Sequence, residues 1–218
     1  MDKTQLLAEI AAEIRVCPKC RLAETRTLAV PGDGLVSSQI MFVGEGPGEQ
    51  EDLSGHPFVG KSGQLLGREL EKIGISRDDI FITNIVKCRP PQNRVPLTDE
   101  IAACSDWLGA QIAIIEPKFI VPVGGPSLQT LVSKNLRITK ARSQVFRKDG
   151  ILFIPILHPS AALRAPETMK LFLEDLANLK GFLSREIAED EITDMDESKP
   201  RVCTPSAPEK EAENLSLF

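Results

Sequence analysis

"QIMFVGEGPGEQEDLSGHPFVGKSG", residues 39–63, opens on an apolar run and passes into a loop with six glycines between Gly44 and Gly63. The run reads as a β-strand buried on both faces. Glycine-rich loops that follow strands usually cradle phosphate with backbone N–H groups. This one carries Glu45, Glu49, Glu51 and Asp52 in its first half, which repels phosphate. A loop of that sign suits a centre that develops positive charge.

Three more runs match the first: "DIFITNIV" (79–86), "KFIVPVG" (118–124) and "ILFIPIL" (151–157). Helical patterns fall between them, at 62–74, at 98–117 with Thr98 as N-cap, at 125–134 and at 168–183. Strands that alternate with helices predict an α/β fold with a parallel sheet covered on both faces. Ligands then bind beyond the carboxyl ends of the strands. Each polar motif below follows such an end.

The chain has 218 residues, 42% of them hydrophobic and 26% charged, enough for one domain with a full core. It has no apolar stretch of membrane-spanning length. The N-terminus reads as a polar amphipathic helix rather than a signal peptide, so a cytoplasmic protein without membrane partners is expected, and a monomer. Net charge is −5, but residues 184–218 hold ten acids against four bases, which leaves residues 1–183 near neutral. The body can therefore present a local basic face to nucleic acid. Residues 1–183 are expected to form the domain. Residues 184–218, acidic and rich in proline, are expected to form a disordered tail.

Cys17 and Cys20 form a C-x2-C pair, and Cys88 and Cys104 flank a loop and helix start. Four thiols in a chain expected to be cytosolic favour a metal site over a disulfide or unrelated core thiols. Spacing does not separate zinc from an iron–sulfur cluster.

Read together, "GEGPGEQED", "GHPFVGKSGQLL", "TNIVKCRPPQNRVP", "HPSAALR" and the four cysteines resemble the family 4 uracil-DNA glycosylases, over residues 15 to about 183. The resemblance implies a three-layer α/β/α fold around a central, mostly parallel four-stranded sheet. It also implies a [4Fe–4S] cluster on Cys17, Cys20, Cys88 and Cys104, with zinc as the alternative. Its activity would be hydrolysis of the N-glycosidic bond of uracil flipped out of DNA, leaving an abasic site for base excision repair. A non-catalytic, metal-stabilised nucleic-acid-binding module is the competing reading, and the acidic loop disfavours a phosphoryl-transfer enzyme.

The residues supply matching chemistry. The sugar becomes oxocarbenium-like, so a carboxylate that orients water suits it. Glu45 is the first choice, Glu51 and Asp52 the second, and Glu49 is expected in solvent. Gly44 and Gly46 let the backbone approach the base. In the family a Phe at Phe58 stacks on uracil. Asn84 pairs an acceptor with a donor, matching uracil N3–H and O4 and mismatching cytosine at both. His158 is placed to donate to O2 as charge builds on the leaving base. His56 is read as a loop or DNA-contacting residue. Leu163 resembles a wedge that fills the flipped nucleotide's place, and Arg164 a phosphate contact. Lys87, Arg89, Asn93 and Arg94, with the basic segment 138–148, are expected to track phosphates.

Two departures bear on mechanism. Gly46 stands where family 1 enzymes have their catalytic Asp, and Gly48 where they have a thymine-excluding Tyr. Some iron–sulfur relatives trap the sugar on a His in a basic insertion; Ser143 and Gln144 stand there instead, which implies hydrolysis with turnover. Finally, Asn214, Leu215, Ser216, Leu217 and Phe218 resemble the peptide that docks on the bacterial sliding clamp.

Overall fold

The computed structural model describes residues 2–195. Its strands are β1 (Asp33–Gly34), β2 (Ile40–Gly44), β3 (Phe81–Asn84), β4 (Phe119–Pro122), β5 (Val145–Lys148), β6 (Ile151–Phe153) and β7 (Ile192–Asp194). Its helices are α1 (Lys3–Val16), α2 (Leu22–Thr25), α3 (Glu49–Ser54), α4 (Lys61–Lys72), α5 (Thr98–Ile115), α6 (Gly125–Leu131), α7 (Ile138–Ala141), α8 (Pro159–Ala162) and α9 (Pro166–Leu183).

One sheet runs β1-β3-β2-β4-β6-β5-β7. The four apolar runs are its centre: β3, β2, β4 and β6 pair in parallel. The expected four-stranded sheet is therefore corrected to seven strands. β1 pairs antiparallel with β3, β5 antiparallel with β6, and β7 parallel with β5. These edge strands are two to four residues long and partly polar, so they leave no apolar run in the sequence.

Side chains alternate across the central strands. Phe42, Ile82 and Val121 face Leu65, Leu66 and Leu70 of α4 and Phe172, Leu176 and Leu179 of α9. Met41, Val43, Phe81 and Ile120 face Leu7 of α1, Leu108 and Ile115 of α5 and Leu128 of α6. Each such fully buried side chain contributes about 1.5–3 kcal/mol. The result is the three-layer α/β/α arrangement. A smaller apolar cluster of Ile14, Leu22, Ala29 and Val86 surrounds Cys88 and Cys104.

Two boundaries differ from the sequence reading. α5 is capped by Leu97, whose N–H donates to Glu100 Oε2 at 2.8 Å, and not by Thr98. The tail does not begin disordered at Ser184. Residues 189–191 form a 3-10 turn, β7 lies on β5, and Arg147 grips both Glu189 and Asp194. The Asn214–Phe218 peptide lies outside the described residues.

Candidate active site

A cleft of about 480 Å³ opens where the central strands end. Its walls come from the segments after β2 (Glu45–Gly48), β3 (Asn84), β4 (Gly124–Pro126) and β6 (His158, Ser160), as parallel topology dictates. Glu51, Phe58, Ser62, Pro90, Asn93–Pro96 and Arg164 complete it.

Gly44 and Asn84 are register partners on β2 and β3. A Cβ on Gly44 would lie 2.3 Å from Asn84 Oδ1 and 2.6 Å from Phe58 Cζ. Glycine at 44 thus lets the amide and the ring share the floor. Phe58 adopts φ 56°, and its carbonyl would be 2.0 Å from a Cβ on Gly63. Asn84 is 2% exposed, and its side-chain amide has no partner among the described residues. The residue is buried but lines the cleft, so its donor and acceptor are open to an occupant of the cleft.

His158 caps α8. The main-chain N–H of Ser160 donates to His158 Nδ1 at 3.1 Å, and Ser160 Oγ lies 2.7 Å from the same atom. An accepting Nδ1 leaves the neutral ring's proton on Nε2, facing the cleft. Burial, with help from Arg164, lowers the pKa to about 4, so the ring is neutral at physiological pH. Its centroid is 6.3 Å from that of Phe58. Gly124, at φ 94°, leaves it room: a Cβ there would sit 3.1 Å from His158 Cβ.

The acids divide by role. Glu45 lines the cleft, half-buried, with no ion pair among the described residues, and burial raises its pKa. Glu51 accepts from the N–H groups of Gly48 (3.1 Å), Val59 (2.9 Å) and Gly60 (2.7 Å). It stitches the acidic loop to the Phe58 loop rather than facing substrate unencumbered. Asp52 is corrected as a catalytic choice: it is buried outside the cleft and accepts from Thr27 N–H at 3.0 and 3.1 Å. Glu49 is exposed, as expected. "GHPFVGKS", residues 55–62, has the spelling of a phosphate-binding loop. Here the amides of Val59 and Gly60 already hold Glu51, an internal anion, and α3 rather than a strand precedes the loop.

The basic residues also divide. Lys87 is corrected as a DNA contact. It is buried, and its Nζ donates to Thr83 Oγ1 (2.6 Å), Asn84 O (2.9 Å) and Gln111 Oε1 (2.6 Å). Arg94 lines the cleft but grips buried Glu100 through both nitrogens, at 2.8 and 2.6 Å. Arg89 donates to Asn93 Oδ1 at 2.8 Å, leaving Asn93 on the cleft rim. In segment 138–148, Arg142 pairs with Glu174 and Asp175, Arg147 with Glu189 and Asp194, and Lys148 with carbonyls of Leu131 and Val132. That segment is therefore mostly an internal fastening. Arg164 lines the cleft, and Leu163 beside it is 50% exposed. His56 is exposed, with Nδ1 2.8 Å from Asp33 Oδ2.

Behind the cleft, Cys17, Cys20, Cys88 and Cys104 line a second, apolar cavity with Ile14, Ala23 and Trp107. Three N–H groups point at sulfur: Arg26 to Cys88 (3.2 Å), Trp107 to Cys17 (3.3 Å) and the Lys87 amide to Cys104 (3.3 Å). Among the described residues no three His, Cys, Asp or Glu side chains converge to hold a single ion. All four cysteines nonetheless line the one small cavity.

The comparisons agree with this geometry. Residues 31–180 match the family model for the uracil DNA glycosylase superfamily. A type-4 uracil-DNA glycosylase of Sulfurisphaera tokodaii is 46% identical over 80% of this chain and 83% of its own. That of Saccharolobus solfataricus is 46% identical over 84% and 88%, and that of Thermotoga maritima 43% over 84% and 98%. The chain belongs to the type-4 uracil-DNA glycosylases. For a type-4 glycosylase, three supports here were not assigned from sequence: the Glu51 stitch, the Ser160 bond to His158, and the Lys87 brace. Only the first had a local signal, a glutamate three residues after Gly48 in the manner of a capping box.

Proposed function

We propose that the chain removes uracil from DNA by hydrolysing its N-glycosidic bond, the reaction named for its type-4 relatives. The observation that carries this reading is the Asn84 amide, unclaimed by the described residues, lining the cleft with Phe58 and His158. Uracil stacked on Phe58 offers N3–H to the Asn84 oxygen and O4 to its NH2. Cytosine reverses both, leaving two buried polar groups unpaired at about 1–3 kcal/mol each. His158 Nε2–H donates to O2 as the base leaves with negative charge; a neutral donor preset in a dry site needs no reorganisation. Glu45 orients and deprotonates the attacking water, and its anion faces the cationic sugar. Leu163 and Arg164, beside the cleft, hold the distorted strand. Ser143, where trapping relatives carry a His, donates to Asp175 at 2.7 Å, in keeping with hydrolysis and turnover.

The four cysteines fit a [4Fe–4S] cluster. Four cysteines lining one apolar cavity without converging on a single-ion position, with N–H groups aimed at three of the sulfurs, favour a cluster over one zinc ion. The cluster would supply a structural tie between the N-terminal segment and the Cys88–Cys104 loop. Iron and acid-labile sulfide at about four each per chain test this; zinc alone contradicts it. We also read Asn214–Phe218 as a clamp-binding peptide. Deleting it should abolish retention on immobilised sliding clamp and leave excision from free oligonucleotides unchanged. No described helix is long and apolar enough to cross a membrane. Incubation with uracil-bearing and matched thymine-bearing oligonucleotides, then alkali, tests the activity: scission at uracil alone supports it, and intact uracil strands refute it.

A further inference from the structure

Asp175 of α9 is fully buried and lies outside the cleft lining. Its Oδ2 accepts the main-chain N–H of Leu157 at 2.9 Å, one residue before His158. Its Oδ1 accepts from Ser143 Oγ at 2.7 Å and lies 2.8 Å from Arg142 Nε, out of line for a hydrogen bond but close enough for an ion pair. Arg142 is anchored in turn, donating to Leu171 O at 2.6 Å. The carboxylate is thus fixed on one side by the 142–143 turn and grips with the other the strand end that delivers His158. His158 itself is held from beyond by Ser160. The histidine sits between two clamps, one from each flank of the chain.

We propose that Asp175 is a positioning residue for His158, setting the main chain from which the imidazole reaches the leaving base. This rests on the reading of His158 as the donor to uracil O2. A donor must meet the position of developing charge to within a fraction of an ångström, and a misplacement of about 1 Å costs about 100-fold in rate. A charge-assisted bond to a main-chain N–H is the stiffest tie a side chain can offer there.

The decisive variant is Asp175→Asn. The Ser143 hydroxyl donor and the Arg142 charge hold the amide oxygen on their side, so NH2 replaces Oδ2 and faces the Leu157 N–H. Size is kept, and the Leu157 bond is lost together with the charge that faces Arg142. Single-turnover excision from a uracil duplex should fall about tenfold or more, with duplex affinity unchanged within about twofold. Introduced into His158→Ala, the same change should slow the remaining reaction less than about twofold, because the two residues act as one unit. Asp175→Ala, paired with the same background, repeats the cycle if the asparagine amide settles with its oxygen on Leu157. Equal losses in both backgrounds, or an unchanged rate in Asp175→Asn and Asp175→Ala, overturn the proposal. Absence of any excision by the parent chain would instead overturn the functional reading beneath it.

Discussion

In the proposed reaction Glu45 and His158 would divide the chemistry by how burial treats each charge. Burial raises the Glu45 carboxyl above its ordinary range, and it works as a base only when ionised. The single-turnover rate should therefore fall as pH drops through that raised value, at a pH above the usual glutamate range. The acid limb should flatten in Glu45→Gln, whose residual rate has no base to protonate. His158, at about 4, stays neutral through this window and adds no limb of its own. Its linkage to stability has the opposite origin. Between the unfolded value near 6.5 and about 4, the unfolded chain binds the proton and the folded chain does not. The histidine thus draws stability down as pH falls through that range, and His158→Ala should show a shallower loss of melting temperature there. At neutral pH, His158→Ala should slow excision about 100-fold or more and change duplex affinity little.

The acid-rich loop, α4 and the cysteine cavity show what elements contribute beyond their residues. Gly63 on α4 lies under the Phe58 carbonyl, where a Cβ would be 2.0 Å from it. Gly63→Ala should displace Phe58, lower excision by about 100-fold, and destabilise by about 1–3 kcal/mol through overpacking; single-turnover rates and urea melts measure both. Cys104→Ser should lower iron content and melting temperature together, loosening α1 from α5 while the sheet remains. Much of this was legible in sequence, because strands buried on both faces leave continuous apolar runs and the polar motifs follow directly after them. The roles of Lys87, Asp52 and Arg94 were not legible. Each is a charged side chain next to a site motif, and only the packed structure shows that Thr83 and Gln111, Thr27, or Glu100 claims it. Strands β5 and β7 were missed for a related reason: β5 buries only two residues and β7 none, so neither leaves an apolar run.

At the scale of the molecule, a near-neutral body meets DNA through a cleft rather than through a broad basic face. Of the arginines that line it, Arg94 is fastened to Glu100, which leaves Arg164, beside the exposed Leu163, as the one proposed to meet phosphate. Substituting Arg164 should therefore weaken binding and reduce its salt slope by about one. The segment after α9 contributes to the fold through β7. Truncation after Leu183 removes β7 and the partners of Arg147, and should cost roughly 1–2 kcal/mol, about 2–8 °C, relative to truncation after Met195. The central claim is that a slot at the strand ends reads uracil through one buried amide. It is tested most directly by single-turnover excision of uracil and cytosine from otherwise identical duplexes by the parent chain and by Asn84→Asp. The account predicts rapid uracil release and undetectable cytosine release by the parent, with uracil release reduced at least about tenfold in the variant. Uracil release at the parental rate in Asn84→Asp would contradict it.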